Sequence, residues 1–223
     1  MTLPRPVAAV VFDMDGVLFD TETLYEKAVL AAAREFGIEM TSAFFRSTVG
    51  SPWPVVRQAI LDRHGADLAV DELAEISRRH FRAMADTQDI LKPGVLELLD
   101  LLDELGLPRA VATSSARPTV ERHLLRHKLE GRFHGIAAHG DYARHKPHPD
   151  PFLKAAELLG VDPGACLALE DSHHGVRSAS SAGMMTVMVP DLLPATDDIC
   201  ALCLHVVSDL HAVRGLISDS RRR

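Results

Sequence analysis

The feature that most limits how this chain can fold is the alternation of short, continuously apolar runs with stretches of helical periodicity. Ala8–Phe12 (AAVVF) is rich in Val and lacks the polar alternation of a half-exposed strand, so it reads as a strand buried on both faces. Similar runs recur at Arg109–Thr113, Gly135–Ala138, Cys166–Leu169 and Thr186–Val189, with a weaker one at Leu204–Val207. Between them, apolar residues return every three to four positions. Val95, Leu98, Leu99, Leu102 and Leu105 share one helical face, and Gly106 follows where a left-handed cap ends a helix. Phe152, Ala155, Ala156 and Leu159 repeat the pattern before Gly160, and Val176 and Ala179 mark a shorter helix before Gly183. Repeated strand–helix units predict an α/β fold, a Rossmann-like doubly wound parallel sheet with helices on both faces.

One region breaks this rhythm. From Thr21 to about Gln88 no run reads as a strand. Three helices are predicted there, over Tyr25–Phe36, Pro54–His64 and Val70–Ala85, with room for a fourth; Gly37 and Gly65 follow the first two. The expected organisation is therefore an α/β domain of residues 1–20 and 90–223, interrupted after its first strand by a helical cap domain of residues 21–89. The terminal Arg221–Arg223 reads as a solvated tail.

Composition narrows the function classes. Asp and Glu number 31 against 24 Lys and Arg, a formal charge of −7, which speaks against a nucleic-acid surface. No stretch approaches the ~20 apolar residues of a membrane span, and the N-terminus reads as a strand rather than a signal peptide. Three Cys cannot build a disulfide framework, so a cytoplasmic protein is expected. Cys200 and Cys203 form a CxxC near His205, but no second pair completes a four-ligand zinc site, and a structural pair is the simpler reading. No heptad seam marks a strong interface, which suggests a monomer or weak homo-oligomer.

The chemistry gathers at strand ends. Asp13 and Asp15 stand two residues apart just past the first strand, before a turn at Gly16. Ligands of parallel α/β sheets bind beyond the carboxyl ends of the strands. Two crowded carboxylates point to a bound cation, or to a division of labour between nucleophile and proton donor. The second strand is expected to stop at the hydroxyl cluster Thr113-Ser114-Ser115. Lys146 lies in the stiff segment KPHPDP, and the fourth strand ends in Glu170-Asp171-Ser172. Nucleophile, cation clamp and hydroxyl donors on one sheet edge make a kit for phosphoryl transfer. Hard oxygen donors without a Cys/His set favour Mg²⁺ over zinc. His173 and His174 follow the acidic pair, at a helix start rather than as ligands.

The segments FDMDGVLFDTE (Phe12–Glu22), VATSS (Val111–Ser115), KPHPDPF (Lys146–Phe152) and LEDSHHGVRSASSAG (Leu169–Gly183) resemble, in this order, the motifs of the haloacid dehalogenase superfamily of phosphohydrolases. The DGVLFDTE continuation and the helical insert look like the subgroup containing β-phosphoglucomutase and small-sugar phosphatases. The resemblance implies a Mg²⁺-dependent phosphatase of a small phosphorylated metabolite, a sugar or polyol phosphate. Asp13 would be the nucleophile that forms an aspartyl-phosphate, and Asp15 the general acid and base. Thr113, Ser114 and Lys146 would hold phosphoryl oxygens, with main-chain N–H groups offered by Gly16 and Ser114. Asp13, Asp15 through its carbonyl, and Asp171 would bind the metal, with Glu170 either a ligand or a supporting partner. The insert would be a cap with Thr21 at its hinge, and Gly50-Ser51-Pro52-Trp53 falls where such caps carry a substrate loop. A phosphosugar mutase shares this core and is the alternative. Here, however, Tyr25 stands where those mutases carry a His, and Trp53 where they carry an Arg for the distal phosphate.

Overall fold

A computed structural model describes residues 2–49, 51 and 53–221, of Arg221 the backbone only. Gly50 and Pro52 of the expected substrate loop, and most of the Arg221–Arg223 tail, lie outside the described residues. By its internal contacts the chain forms two compact units, Met1–Phe19 with Leu91–Arg223, and Asp20–Ile90.

The first unit holds a six-stranded, fully parallel sheet: β1 (Ala9–Phe12), β2 (Arg109–Ala116), β3 (Gly135–His139), β4 (Cys166–Glu170), β5 (Met185–Met188) and β6 (His205–Val206). Their order in space is β3-β2-β1-β4-β5-β6. The chain therefore winds outward from β1 to β3, then returns to the other edge of β1 with β4. That reversal is a topological switch point, and it lies between β1 and β4, where Phe12 pairs with Leu169. Every residue of β1 and β4 is buried, as their unbroken apolar sequences demand. Ala9 and Val11 join Ala110, Ala112, Ala168 and Phe152 in one cluster, while Val10 and Phe12, on the alternate face, are equally buried. The small Ala side chains of this cluster let helix α7 (Asp150–Leu159), which supplies Phe152, Ala155 and Ala156, lie close against β1, β2 and β3. The remaining helices of this unit are α5 (Val95–Glu104), α6 (Arg117–Arg126), α8 (His173–Ser181), α9 (Asp197–Cys200) and α10 (Leu210–Arg221).

One strand differs from expectation in a way that bears on function. β2 does not stop at Thr113 but stays extended to Ala116. Its pairing with β3 runs through Ala112↔Ala137 and resumes at Ala116↔His139 after a register shift. The hydroxyl cluster is thus extended backbone inside a strand, in a gap in its ladder.

The second unit is helical throughout: α1 (Thr21–Glu35), α2 (Ser42–Thr48), α3 (Trp53–His64) and α4 (Val70–Ala85). The short α2 takes the place left open for a fourth helix. It starts at Thr41, whose side chain accepts the Phe44 N–H at 3.2 Å. Ala32, Ala33, Ile60, Val70 and Leu73 form the core, with Phe36, Phe44 and Val56 packed against it. Full burial of an Ile, Val or Leu side chain stabilises by about 1.5–3 kcal/mol. The segments leading into and out of the unit run side by side, with Asp20 N–H donating to the Ile90 carbonyl at 2.7 Å. Among the described residues, no helix is long and apolar enough to cross a membrane.

Candidate active site

The end of β1 and the end of β4 meet at the switch point. Asp13 follows β1 directly, and its N–H donates to the Leu169 carbonyl of β4 at 2.9 Å, which aligns the two strand ends. Asp13 is 6% exposed and Glu170 is fully buried. Between them lies the Lys146 ammonium, 2.5 Å from Asp13 Oδ1 and 2.6 Å from Glu170 Oε1. Lys146 reaches this point from the loop before α7. The Phe152 ring below its ammonium, at 5.1 Å, supports it, and Ser178 Oγ on α8 donates to the His148 carbonyl, tying the loop down.

Both oxygens of Glu170 carry hydrogen bonds. One oxygen accepts from Lys146; the other accepts from the Asp171 N–H, the Ser172 N–H and the Ser172 hydroxyl, each at 3.0 Å. Ser172 also caps α8 by accepting the Gly175 N–H at 3.1 Å. Gly175 itself makes the space: a Cβ there would sit 1.7 Å from Glu170 Oε1. Gly16 does the same for Asp171. Its φ of +83° suits glycine, and a Cβ would meet Asp171 Oδ2 at 2.2 Å. The Gly16 N–H, expected to be offered to phosphate, is instead taken by the Phe19 carbonyl at 2.8 Å, because the turn after Asp15 closes on itself.

The electrostatics are unbalanced towards negative charge. Burial pushes the Asp13 carboxyl up from 3.8 to about 8; Lys146 works against that shift, while Glu170 and Asp15 add to it. Burial pulls Lys146 down, but the carboxylates of Asp13 and Glu170 outweigh it and hold the ammonium above its ordinary range. One ammonium thus serves a strand edge that carries Asp13, Asp15, Glu170 and Asp171. Ligand-capable oxygens of Asp13, Glu170 and Asp171 lie within 4.8 Å of one another, the one such cluster among the described residues. An all-oxygen set with surplus negative charge fits a hard divalent cation.

Asp15 accepts a hydrogen bond from the Ser115 hydroxyl at 2.8 Å, so β2 reaches across to hold it. Thr113 is fully buried, its Oγ1 accepting the Ser115 N–H at 3.0 Å, and the Ser114 side chain is exposed. Asp13, Asp15, Thr113, Ser114, Lys146, Glu170 and Asp171 therefore all belong to the C-terminal edge of this sheet. Ser115 as the partner of Asp15, and Ser172 and Gly175 as the frame of Glu170, were not singled out from sequence. A glycine inside a helical pattern marks a close approach and was the available signal for Gly175.

His173 binds the Pro194 carbonyl at 2.9 Å and is not part of the acidic cluster. Cys203 is partly buried, and burial pushes its thiol up to about 11, an unreactive state.

In the helical unit, Tyr25 and Trp53 line a cavity of about 290 Å³ together with Phe44, Phe45, Val56 and Leu73. Glu22, Thr48, Ser51 and Ser77 add polar groups, and no Lys, Arg or His is among its described lining residues. Burial pushes the Tyr25 phenol above its ordinary value. Thr21, at the first position of α1, is buried and does not line this cavity.

Comparison with known proteins follows the same lines. The family model described as haloacid dehalogenase-like hydrolase matches residues 10–189. Hexitol phosphatase B of Escherichia coli K12 is 31% identical, over 85% of this chain and 86% of that protein. Fructose-1-phosphate phosphatase YqaB of the same organism is 33% identical, over 82% of this chain and 96% of that one. The crystal structure of CbbY from Rhodobacter sphaeroides, in complex with phosphate, superposes with a TM-score of 0.72 at 27% identity, covering 92% of this chain and 95% of that chain.

Proposed function

This chain belongs to the haloacid dehalogenase-like hydrolases, and from that premise we propose that it is a Mg²⁺-dependent phosphatase of a small sugar or polyol phosphate, working through phospho-Asp13. The observation that carries this reading is the difference between two aspartates of one strand end. Asp13 is buried against Lys146, and Asp15 accepts a hydrogen bond from the Ser115 hydroxyl of β2.

In the first half-reaction an Asp13 oxygen attacks phosphorus in line, and the bond to the leaving alcohol breaks. Protonated Asp15 gives its proton to the departing oxygen. In the second, Asp15, now a carboxylate, takes a proton from water as that water attacks the same phosphorus. Phosphate departs, and both aspartates return to their starting states. Thr113, the Ser114 N–H and Lys146 hold the non-bridging oxygens throughout. Lys146 does a second task, opposing the rise that burial imposes on the Asp13 carboxyl, and a cation bound beside it would complete the ionisation of the nucleophile. Asp13, Asp171 and the Asp15 carbonyl are the residues that would hold Mg²⁺, with Glu170 aligning Lys146 and Asp171 from behind. Bound there, the ion supplies positive charge that offsets the surplus of carboxylates and of phosphoryl oxygens.

We assign the helical unit, residues 20–90, the part of a substrate-selecting cap. Its cavity supports hydrolysis over mutase chemistry: a mutase must grip a second phosphate, and the described lining has no cation for it. The test is a panel of phosphorylated metabolites with Mg²⁺, scored by phosphate release. Turnover of hexitol or ketose phosphates at kcat/KM above about 10⁴ M⁻¹s⁻¹, lost with a chelator, is expected. Conversion of β-glucose 1-phosphate to glucose 6-phosphate, in the presence of a bisphosphate primer and faster than phosphate release, would favour the mutase instead.

A further inference from the structure

We infer that Tyr142 is a positioning residue for the phosphoryl group, its phenol orienting the Thr113–Ser114 peptide so that the Ser114 N–H is held as a fixed donor. The inference rests on the phosphatase reading above. Tyr142 lies in the loop after β3, and its hydroxyl donates to the Thr113 carbonyl at 2.8 Å. A trans peptide is planar, with C=O and N–H pointing in opposite directions. The Thr113 carbonyl and the Ser114 N–H share one such plane, and the only cis bond among the described residues is Lys146–Pro147. A donor that fixes the carbonyl therefore fixes the N–H as well, and polarises it towards stronger donation.

β2 is irregular at this point. Its register with β1 runs to Val111↔Phe12, and its register with β3 shifts between Ala112 and Ala116. The backbone at Thr113 and Ser114 lies at that irregularity, between the two stretches of regular pairing with β3. Tyr142 is itself braced: its ring stands edge-on to His145 with centroids 5.5 Å apart, and His145 stacks on His139 at 4.8 Å. Burial keeps the phenol above its ordinary value, so the hydroxyl remains a donor at neutral pH; a hydrogen bond with the Ser114 side chain and the charge of Lys146 work against that rise, and the charge of Asp13 adds to it.

Tyr142→Phe removes the hydroxyl and keeps the ring. Binding of inorganic phosphate in the presence of Mg²⁺, measured by calorimetry at pH 6.5, should weaken about fivefold, the size of one net hydrogen bond. Replacing Tyr142 with 3-fluorotyrosine, a stronger donor, should give binding at least as tight as wild type, an order that a merely structural hydroxyl would not produce. Mg²⁺ affinity without phosphate should be equal in all three proteins. Equal phosphate affinity in Tyr142→Phe and wild type, weaker binding by the fluorotyrosine protein, altered Mg²⁺ affinity, or no phosphate binding by wild type would each overturn the inference. If Tyr142→Phe weakens phosphate binding as expected, yet wild type hydrolyses no phosphomonoester, the phosphatase reading falls and this one stands.

Discussion

The two compact units treat buried polarity in opposite ways. In the α/β unit the candidate site gathers three buried charges: the Lys146 and Asp13 side chains are each 8% exposed and that of Glu170 is fully buried. Elsewhere in that unit buried Arg109 is tied to Asp103 and to the Arg132 and Leu107 carbonyls, and the buried Asp191 carboxylate to Lys92. In the helical unit, buried Glu26 meets a half-exposed Arg46, and the interior space is a mostly apolar cavity. Buried charges are costly even when paired, and breaking one pair leaves an uncompensated ion. A cluster of them therefore needs a rigid frame, which strand ends and close-fitting glycines provide. An apolar wall has no such demand and tolerates change. Chemistry should therefore be brittle in the first unit and selectivity adjustable in the second.

The sharpest test is at Asp13, the proposed nucleophile. Asp13→Asn should cut turnover by on the order of 10⁴-fold or more, and Asp15→Ala by about 10²–10⁴-fold, both measured as phosphate release. Neither should lower the melting temperature much. Asp13→Asn carries a pH signature as well. A carboxyl whose folded pKa is raised stabilises the fold fully below its unfolded value and loses that contribution as pH rises through the folded one. With Asp13 moved from 3.8 to about 8, metal-free wild type should lose stability between those values. The Asn variant should lose less, as thermal melts across pH would show. Near-normal turnover in folded Asp13→Asn would break the comparison at its root.

Next is the frame. Lys146→Ala leaves the Asp13 and Glu170 carboxylates without their ammonium and should cost about 3–5 kcal/mol of stability together with nearly all activity. Gly175→Ala comes third. In an ordinary helix interior this change stabilises by about 1 kcal/mol; here the new Cβ would strike Glu170, so denaturant melts should show destabilisation instead. A more stable Gly175→Ala protein would mean that Glu170 has room to move and the frame is not rigid.

The smallest effect belongs to the helical unit. Trp53 is 45% exposed, so Trp53→Ala should leave melting within about 2 °C of wild type. It should change kcat/KM unevenly across a substrate panel, by about three- to tenfold, mostly through KM. A uniform loss of kcat on every substrate would move Trp53 from selection into the chemistry and erase the distinction between the units.

The strand–helix alternation, the all-helical insert and the residues that end β1 and β4 are legible in the sequence, because apolar periodicity and short motifs are local. The sequence marked Asp13, Lys146 and Asp171 through residue type and position. It did not show that β2 runs on to Ala116 with a gap in its ladder, since extended backbone and a loop look alike in a Thr-Ser-Ser run. Nor did it tell a ligand from a support at Glu170, whose oxygens are filled by Lys146, Ser172 and two main-chain N–H groups. The Ser115–Asp15 bond spans 100 positions, the Tyr142–Thr113 bond 29, and the Lys146–Asp13 pair 133. Such contacts depend on how strands are ordered in the sheet and on where small residues allow close approach. Only the tertiary structure decides those, because hydrogen bonds and ion pairs act over a few ångströms of space whatever their separation along the chain.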